Sequence, residues 1–588
     1  MNGFHGRILK INLTTKQFEI DELNEKIARQ YLGGKGLASW LLATLNPPKV
    51  DPLSPENHLI FATGPVAGEN VWGSSRYGVF TKSPLTGFYA ESYSGGKVAE
   101  AMDATGFDAI VLSGAFPQPS MMIVEPEGVT FQSADEFWGM DSYEALEKIK
   151  TRYKNSFKGR QGAVVIGPAG ENRIPFAVIQ NDKWHFAGRT GVGAVMGAKH
   201  VKSIVFRGNR KKTLADPARI KEISKKLARE SKDNPGVKAY KSMGTSMMVD
   251  ITNAAGCFPA KYWSQGSVDH CGNINTEALH SRCKVVPEAC AKCFMACGRN
   301  SRVLDGPYIG LRLKGPEYET IYVFGGLCMV ENIEEVLHLN DLCNRLGLDT
   351  ITTGNLCAFT IEAAKAGKVT YPIDYNDVDG IAQLIQEMAT GTGEVGTILS
   401  KGIKYAAATW DFENRAVHVK GLEPAGFDPR VLKGMGLAYA VSDRGACHLR
   451  TTFYKPELTG LIPPKQIEDK AELLTDYEDR LTLFDTLILC RFFRDIYDWE
   501  LLGQLIEAAT GLPSDKPALR QMAAAVTDLV RKFNLREGLK EEDDDLPPDI
   551  YDHELDGNHR ITRDELHQMR SDYYHLRQWG ADGRLVSD

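Results

Sequence analysis

No apolar run in the 588 residues approaches the roughly 20 residues that cross a bilayer. No leader is visible: the start, MNGFHGRILKINLTTKQFEI, alternates apolar and polar residues and reads as a strand pair. Positive charge is not in excess. Lys and Arg number 69 against 76 Asp and Glu, and the net charge of −7 argues against a nucleic-acid binder. There is no tandem repeat, no long low-complexity tract and no Walker pattern. Gly191 and Gly193 make a G-x-G, but the next glycine, Gly197, comes one residue too late for a dinucleotide fingerprint. No flavin or nicotinamide site is legible. An even cysteine count is also missing. Eleven cysteines without a leader read as reduced thiols or metal ligands rather than a disulfide framework, which places the protein in the cytoplasm.

What is present suits a globular protein. Hydrophobic residues make up 43% and charged residues 25%, and the length predicts roughly three domains. Residues 1–210 are rich in short β-prone runs punctuated by Gly, Pro and Asn, among them HLIFATGPVAG, RYGVFTKSPLTGFYAESY, FDAIVLSG and GAVVIGPAG. From about Lys211 the apolar spacing turns helical, as in DPARIKEISKKLARESKD and ENIEEVLHLNDLCNRLG. A break at DFENRAVHVKGLEPAGFDP divides that part into 211–415 and 416–588. The expected fold is α+β: a β-rich N-terminal domain with two mostly helical domains. The acidic EEDDDLPPD reads as an exposed linker.

CAKCFMAC places Cys290, Cys293 and Cys297 in one short stretch. Thiolates are soft ligands that suit iron–sulfur clusters or zinc. A cubane cluster takes four, and one loop can supply three of them. Cys490, ending DTLILC, is the best candidate for the fourth. Zinc would usually show a second paired motif, and none exists; a set of unligated thiols is the remaining alternative. The other cysteines sit alone or in apolar settings and read as small buried hydrophobes.

GSSRYGVFTKSPLTG carries Arg76 and Lys82, and FAGRTGVGAVMGAKH carries Arg189 and Lys199. Basic side chains among Gly and Ser let amides and a guanidinium approach a phosphate or polar heterocycle, although ordinary strand turns use the same residues. KGPEYETIYVFGG holds Glu317, Tyr318 and Glu319 beside an apolar run, where a carboxylate is suited to general-base work. His448 in DRGACHLR can donate to a developing oxyanion. The competing readings are a helix cap for the glutamate and a structural role for the histidine.

Taken together, these pieces resemble the tungsten-containing aldehyde:ferredoxin oxidoreductases. The likeness runs from YLGGKGLA through GSSRYGVFTKSPLTG, AGRTGVGAVMGAKHVKSI, CAKCFMAC, GPEYET, NRLGLDT, RGACHLR and DTLILC to SDYYHLRQWGADG, nearly the whole length. It implies tungsten, or less often molybdenum, held by two pterins at the junction of the domains. It also implies a [4Fe-4S] cluster on Cys290, Cys293, Cys297 and Cys490, and Mg2+ between the pterin phosphates. Arg76 and Arg189 match cofactor contacts, and Gly95 and Gly191 are implied as further cofactor-binding positions. The carbonyls of Tyr93 and Thr190 are implied near the magnesium. The first pterin motif is Asn344 to Asp349, with Gly347 and Leu348, and it carries Asn where the family has Asp. The second runs from Asp485 through Leu489 to Cys490, with Ile488 where the family has Gly. Glu319 and His448 match the active-site acid/base pair, with Tyr318 beside them.

The implied reaction oxidises an aldehyde to a carboxylic acid. Electrons pass through the cluster to ferredoxin or a ferredoxin-like subunit, in a homo- or hetero-oligomeric setting. Two alternatives stand beside it. One is a tungsten-dependent acyl-CoA reductase subunit, for which Cys257 and Cys328 are conceivable tungsten ligands. The other is an iron–sulfur electron-transfer subunit with no substrate site.

Overall fold

Alternating apolar residues build the first part of the chain into two six-stranded sheets. The computed structural model describes residues 1–154 and 157–586. Their strands are β1 (Arg7–Asn12), β2 (Gln17–Glu22), β3 (Leu59–Ala62), β4 (Tyr77–Lys82), β5 (Tyr89–Ser94), β6 (Ala109–Ser113), β7 (Ser120–Glu125), β8 (Gly128–Ser133), β9 (Arg160–Ile166), β10 (Ile179–Asn181), β11 (His185–Ala187) and β12 (Val201–Gly208). The first sheet runs β2-β1-β6-β3-β4-β5 and the second β11-β10-β9-β12-β7-β8. The opening alternation does form a pair: Ile11 of β1 faces Phe18 of β2, antiparallel.

Every second residue of these strands enters a shared core. Leu9, Phe61, Val79 and Ile110 from one sheet join Val164, Ile204 and Phe206 from the other. The rings of Phe61 and Phe206 lie 6.3 Å apart. Strands buried on both faces need a second apolar layer. For the second sheet it comes from the helix Ser142–Tyr153, whose Leu146 and Ile149 cover Met121, Val165 and Val205.

The chain divides into two compact units that do not follow chain order. The first comprises Met1–Lys238, Ala289–Ala296 and Asp479–Gly538, and the second Ala239–Glu288, Cys297–Glu478 and Leu539–Asp588. Beyond the sheets, the first unit includes the helices Pro217–Glu230, Trp499–Thr510 and Lys516–Glu537. Asp216 caps the first of these, accepting from the Arg219 amide at 2.9 Å.

The second unit is mainly helical. The expected helix at Ile333–Leu346 ends where Gly347 takes a left-handed φ of 79°. Three further helices follow, Val378–Thr390, Glu394–Leu399 and Ile403–Thr409. A small sheet, β13 (Cys283–Glu288), β14 (Gly298–Val303) and β15 (Arg312–Lys314), was not anticipated there. Nor is EEDDDLPPD an exposed linker. Asp544 and Asp549 are fully buried. Asp544 pairs with Lys420 at 2.7 Å and accepts the Tyr574 hydroxyl at 2.6 Å, while Asp549 pairs with Arg415. Charge in that stretch is used inward, against basic partners from distant sequence. Among the described residues no helix is long and apolar enough to cross a membrane.

Candidate active site

In the first unit the cysteine loop is anchored through glycines. The Gly73 amide donates to the Lys292 carbonyl at 2.9 Å, and the Cys490 amide donates to the Gly73 carbonyl at 2.9 Å. One residue therefore bridges the triplet loop and the distant cysteine. Phe294 fills the space beside them, with its ring 5.2 Å from Trp72 and 5.0 Å from Phe493. Lys292 Nζ donates to the Gly68 carbonyl at 2.7 Å, which fixes the loop from its other side.

Cys290, Cys293 and Cys490 are half-buried thiols of this unit outside any disulfide. Burial, then the neighbouring Cys490 and Cys290, push the Cys293 thiol up to about 12. Cys297 opens the next stretch of the second unit, where it is one of the groups acting on the buried Arg299 guanidinium.

The segment ending in Cys490 lies against bare backbone. A Cβ on Gly64 would come within 2.0 Å of the Leu487 carbonyl oxygen, and one on Gly34 within 2.4 Å of that of Asp485. The glycines of YLGGKGLA are thus close-approach positions. Asp485 accepts from Arg491 in a buried ion pair. Ile488 takes a left-handed φ of 53°, an unfavourable conformation for a β-branched residue. Leu489 is buried.

The two glycine–basic loops also meet in the first unit. Arg76 Nη2 donates to the Tyr93 carbonyl at 3.4 Å, and Asn181 Nδ2 donates to that of Gly95 at 2.9 Å. Arg189, Thr190 and Gly191 turn sharply, all with positive φ. Ser92 Oγ donates to the Gly188 carbonyl at 2.5 Å and Ser83 Oγ to that of Thr190 at 2.9 Å, holding the turn against the β4–β5 hairpin. The buried Lys82 and Lys199 of the same motifs serve the structure, reaching Glu537 at 2.7 Å and the Gly114 carbonyl at 3.0 Å.

The second unit assembles the acid–base residues. Tyr318 and Glu319 open the helix Tyr318–Ile321, which continues as a π-helical turn, Tyr322–Leu327. Glu319 Oε2 accepts the Gly426 amide at 3.0 Å, and its Oε1 lies 3.5 Å from His448 Nε2. The Tyr318 hydroxyl donates to the Gly426 carbonyl and sits 3.1 Å from Thr252 Oγ1. Burial, then the nearby Glu319, hold that phenol well above its usual range. A Cβ on Gly426 would come within 2.7 Å of the Tyr322 ring and 2.9 Å of the Tyr318 ring, so only glycine fits there. Phe427 stacks on Tyr454 at 4.0 Å and lies 5.9 Å from the His448 ring. Both carboxylate and imidazole keep a little exposure, 18% and 15%.

Also in this unit, Asn344 accepts from Asn340 Nδ2 at 3.4 Å. Asp349 caps the helix Thr350–Lys365, taking the Thr352 amide at 3.3 Å, and Leu348 is buried beside it.

Two family models cover the chain. Aldehyde ferredoxin oxidoreductase, N-terminal domain, matches residues 8–208, and aldehyde ferredoxin oxidoreductase, domains 2 & 3, matches residues 222–588. The chain belongs to the aldehyde ferredoxin oxidoreductase family. It is 32% identical to the tungsten-containing aldehyde ferredoxin oxidoreductase of Pyrococcus furiosus over 605 positions, covering 100% of this chain and 98% of the relative. The enzyme of the same description from Thermococcus kodakarensis is 32% identical over 602 positions, with the same coverage. Among solved structures, the active site complex BamBC of benzoyl coenzyme A reductase with 1,5-dienoyl-CoA superposes with a TM-score of 0.84 at 22% identity. That match covers 99% of this chain and 96% of that one. It shows the fold, and the family is one of oxidoreductases.

The donor set of this family member suits a cluster. None of the eleven cysteines forms a disulfide, and three of them gather in the first unit where burial and mutual repulsion penalise thiolates; bonding to iron relieves both. Among the described residues no three His, Cys, Asp or Glu side chains converge on a point that could hold a single ion. For a pterin, the loops of Arg76 and Arg189 offer guanidinium groups among backbone amides, and Asp349 and Asp485 offer carboxylates.

Sequence reading missed Gly426, Phe427 and Tyr454. GLEPAGFDP registered only as a break in helical periodicity, yet residues 421–440 are buried throughout. An irregular segment dense in Gly and Pro between helices was the available signal.

Proposed function

We propose that this chain catalyses tungsten-dependent oxidation of aldehydes to carboxylic acids, passing electrons through a [4Fe-4S] cluster to a ferredoxin or ferredoxin-like subunit. The observation that carries this reading is the Glu319–His448 pair at 3.5 Å, in a chain matched over its full length by enzymes of that description. Cys290, Cys293, Cys297 and Cys490 would hold the cluster. Arg76, Tyr93, Gly95, Arg189, Thr190, Gly191, Asn344, Gly347, Leu348, Asp349, Asp485 and Leu489 would hold the two pterins and their Mg2+. When bound, these groups supply the two-electron redox step and its one-electron relay.

The chain's own residues provide position and proton transfer. Glu319 Oε1 takes the proton released from water or the aldehyde, while its Oε2 stays fixed by the Gly426 amide. His448 Nε2 would donate to the substrate carbonyl oxygen. Tyr318 is a positioning residue, because its hydroxyl holds the Gly426 carbonyl and so sets the amide that Glu319 uses. Phe427 and Tyr454 orient the imidazole and keep its surroundings apolar.

A second reading, tungsten-dependent acyl-CoA reduction, draws on the likeness to benzoyl coenzyme A reductase. The thiols it could use as protein ligands are Cys257 and Cys328, both fully buried, of which Cys328 donates to the Gly354 carbonyl at 3.4 Å. Elemental analysis for tungsten, molybdenum and iron, with an aldehyde-dependent dye-reduction assay on the same sample, tests the proposal. Tungsten with aldehyde activity supports it. Reoxidation by an aromatic acyl-CoA without aldehyde activity selects the second reading, and iron without tungsten or molybdenum refutes both.

A further inference from the structure

His185 opens β11, directly after the Asp182–Lys183–Trp184 turn from β10, and Asn181 faces it across the antiparallel pair. Its Nε2 lies 3.5 Å from Cys290 Sγ, within range for a hydrogen bond to sulfur. The surrounding network places it there. The Asp182 carboxylate accepts the Lys97 amide at 2.5 Å and the Val98 amide at 3.2 Å. Asn181 Nδ2 donates to the Gly95 carbonyl, and Asn181 Oδ1 accepts from Tyr77 at 3.0 Å and Ser94 at 2.6 Å. The Ala291 amide, one residue past Cys290, donates to the Gly96 carbonyl at 3.4 Å. The β10–β11 turn and the cysteine loop are thus both fastened to Gly95–Gly96.

Glycine at these two positions leaves the path open. A Cβ on Gly95 would lie 2.9 Å from Cys290 Sγ and 3.6 Å from His185 Cδ2. A Cβ on Gly96, where φ is +100°, would lie 3.2 Å from His185 Nδ1. A larger residue at Gly95 would press on the Cys290 sulfur, and one at Gly96 on the Asp182 carboxylate and the His185 ring.

We infer that His185 is a positioning residue for electron transfer: its Nε2–H donates a hydrogen bond to Cys290 Sγ and so raises the reduction potential of the cluster. The inference rests on the proposed role of Cys290 as a cluster ligand. A ligating thiolate has no proton to give, so the proton of this contact belongs to Nε2. Reduction adds one negative charge that spreads onto the cysteine sulfurs. A donor aimed at one of them stabilises the reduced state more than the oxidised state.

The test is a potentiometric titration of the holoenzyme followed by electron paramagnetic resonance, comparing the natural chain with His185→Phe and His185→Gln. Phe keeps much of the ring volume without a donor, whereas the Gln amide restores one. The expected result is a lower midpoint for His185→Phe and recovery of part of that shift in His185→Gln. Equal midpoints in all three, with the cluster present, overturn the inference.

Should His185→Phe fail to hold its cluster, pulsed resonance on the natural holoenzyme decides. Labelling histidine with ¹⁵N should give a nitrogen coupling to the reduced cluster, and transfer to D2O should remove one coupled proton. Absence of both overturns the inference. A natural chain that binds no iron refutes instead the cluster assignment on which the inference rests.

Discussion

Glu319 and His448, far apart in sequence, stand 3.5 Å apart through Oε1 and Nε2, with the second carboxylate oxygen held by the Gly426 amide. The carboxylate is thus fixed at one oxygen by a backbone amide and faces the imidazole with the other. That arrangement suits a base, which must keep its direction while its proton comes and goes.

Glu319→Gln preserves the shape and the hydrogen bond from Gly426 but removes the basic oxygen. Aldehyde turnover should fall by about 10²–10⁴-fold. Tungsten and iron contents should match the natural protein, and steady-state rates beside elemental analysis check both. Near-normal turnover would remove Glu319 from the mechanism.

Gly64 carries a structural prediction about the same chemistry. Alanine there would place its Cβ 2.0 Å from the Leu487 carbonyl, which cannot move without displacing the segment that ends in Cys490. Overpacking of this kind costs on the order of 1–3 kcal/mol, and more where the obstacle is backbone. Gly64→Ala should lower the thermal midpoint and the iron content together. An unchanged melting curve with a full complement of iron would show that the approach is not obligatory.

Stability should fall on the acid side because of histidines buried in their neutral form. Burial lowers His418 and His58 to about 4 each, from an ordinary value near 6.5. His418 Nδ1 accepts the Gly421 amide at 3.3 Å, an interaction that protonation would end. The unfolded chain takes up these protons at higher pH than the folded one does. Their contribution is therefore complete above pH 6.5 and drains away as pH falls towards 4, by up to roughly 3 kcal/mol per group. Denaturant titrations at several pH values read the slope, and His418→Gln should flatten part of it. A slope of the opposite sign between pH 6.5 and 4 would contradict the assignment.

The strands and long helices were legible because period-2 and helical spacings survive in single stretches such as FDAIVLSG and ENIEEVLHLNDLCNRLG. The cysteine triplet was legible for the same local reason. Legibility failed where function comes from backbone. Gly64 and Gly34 look like turn residues in sequence, but their effect is felt at Leu487 and Asp485, far along the chain. Gly426 likewise shows no chemistry in its own neighbourhood. EEDDDLPPD misled because charge density signals exposure only when no partner is known, and Lys420 and Arg415 lie more than a hundred residues away. The division into two interleaved units was equally invisible, since helical texture continues without interruption through Glu478 and Asp479.

The proposed cluster joins Cys490 to Cys290 and Cys293. Iron and acid-labile sulfide, determined alongside the resonance spectrum of the reduced holoenzyme for the natural chain and for Cys490→Ser, address it directly. The natural chain should carry about four of each per monomer. Cys490→Ser should lose the cluster, lose one iron, or show a changed spectrum. An identical cluster in Cys490→Ser, or a natural chain holding zinc in place of iron, would contradict it.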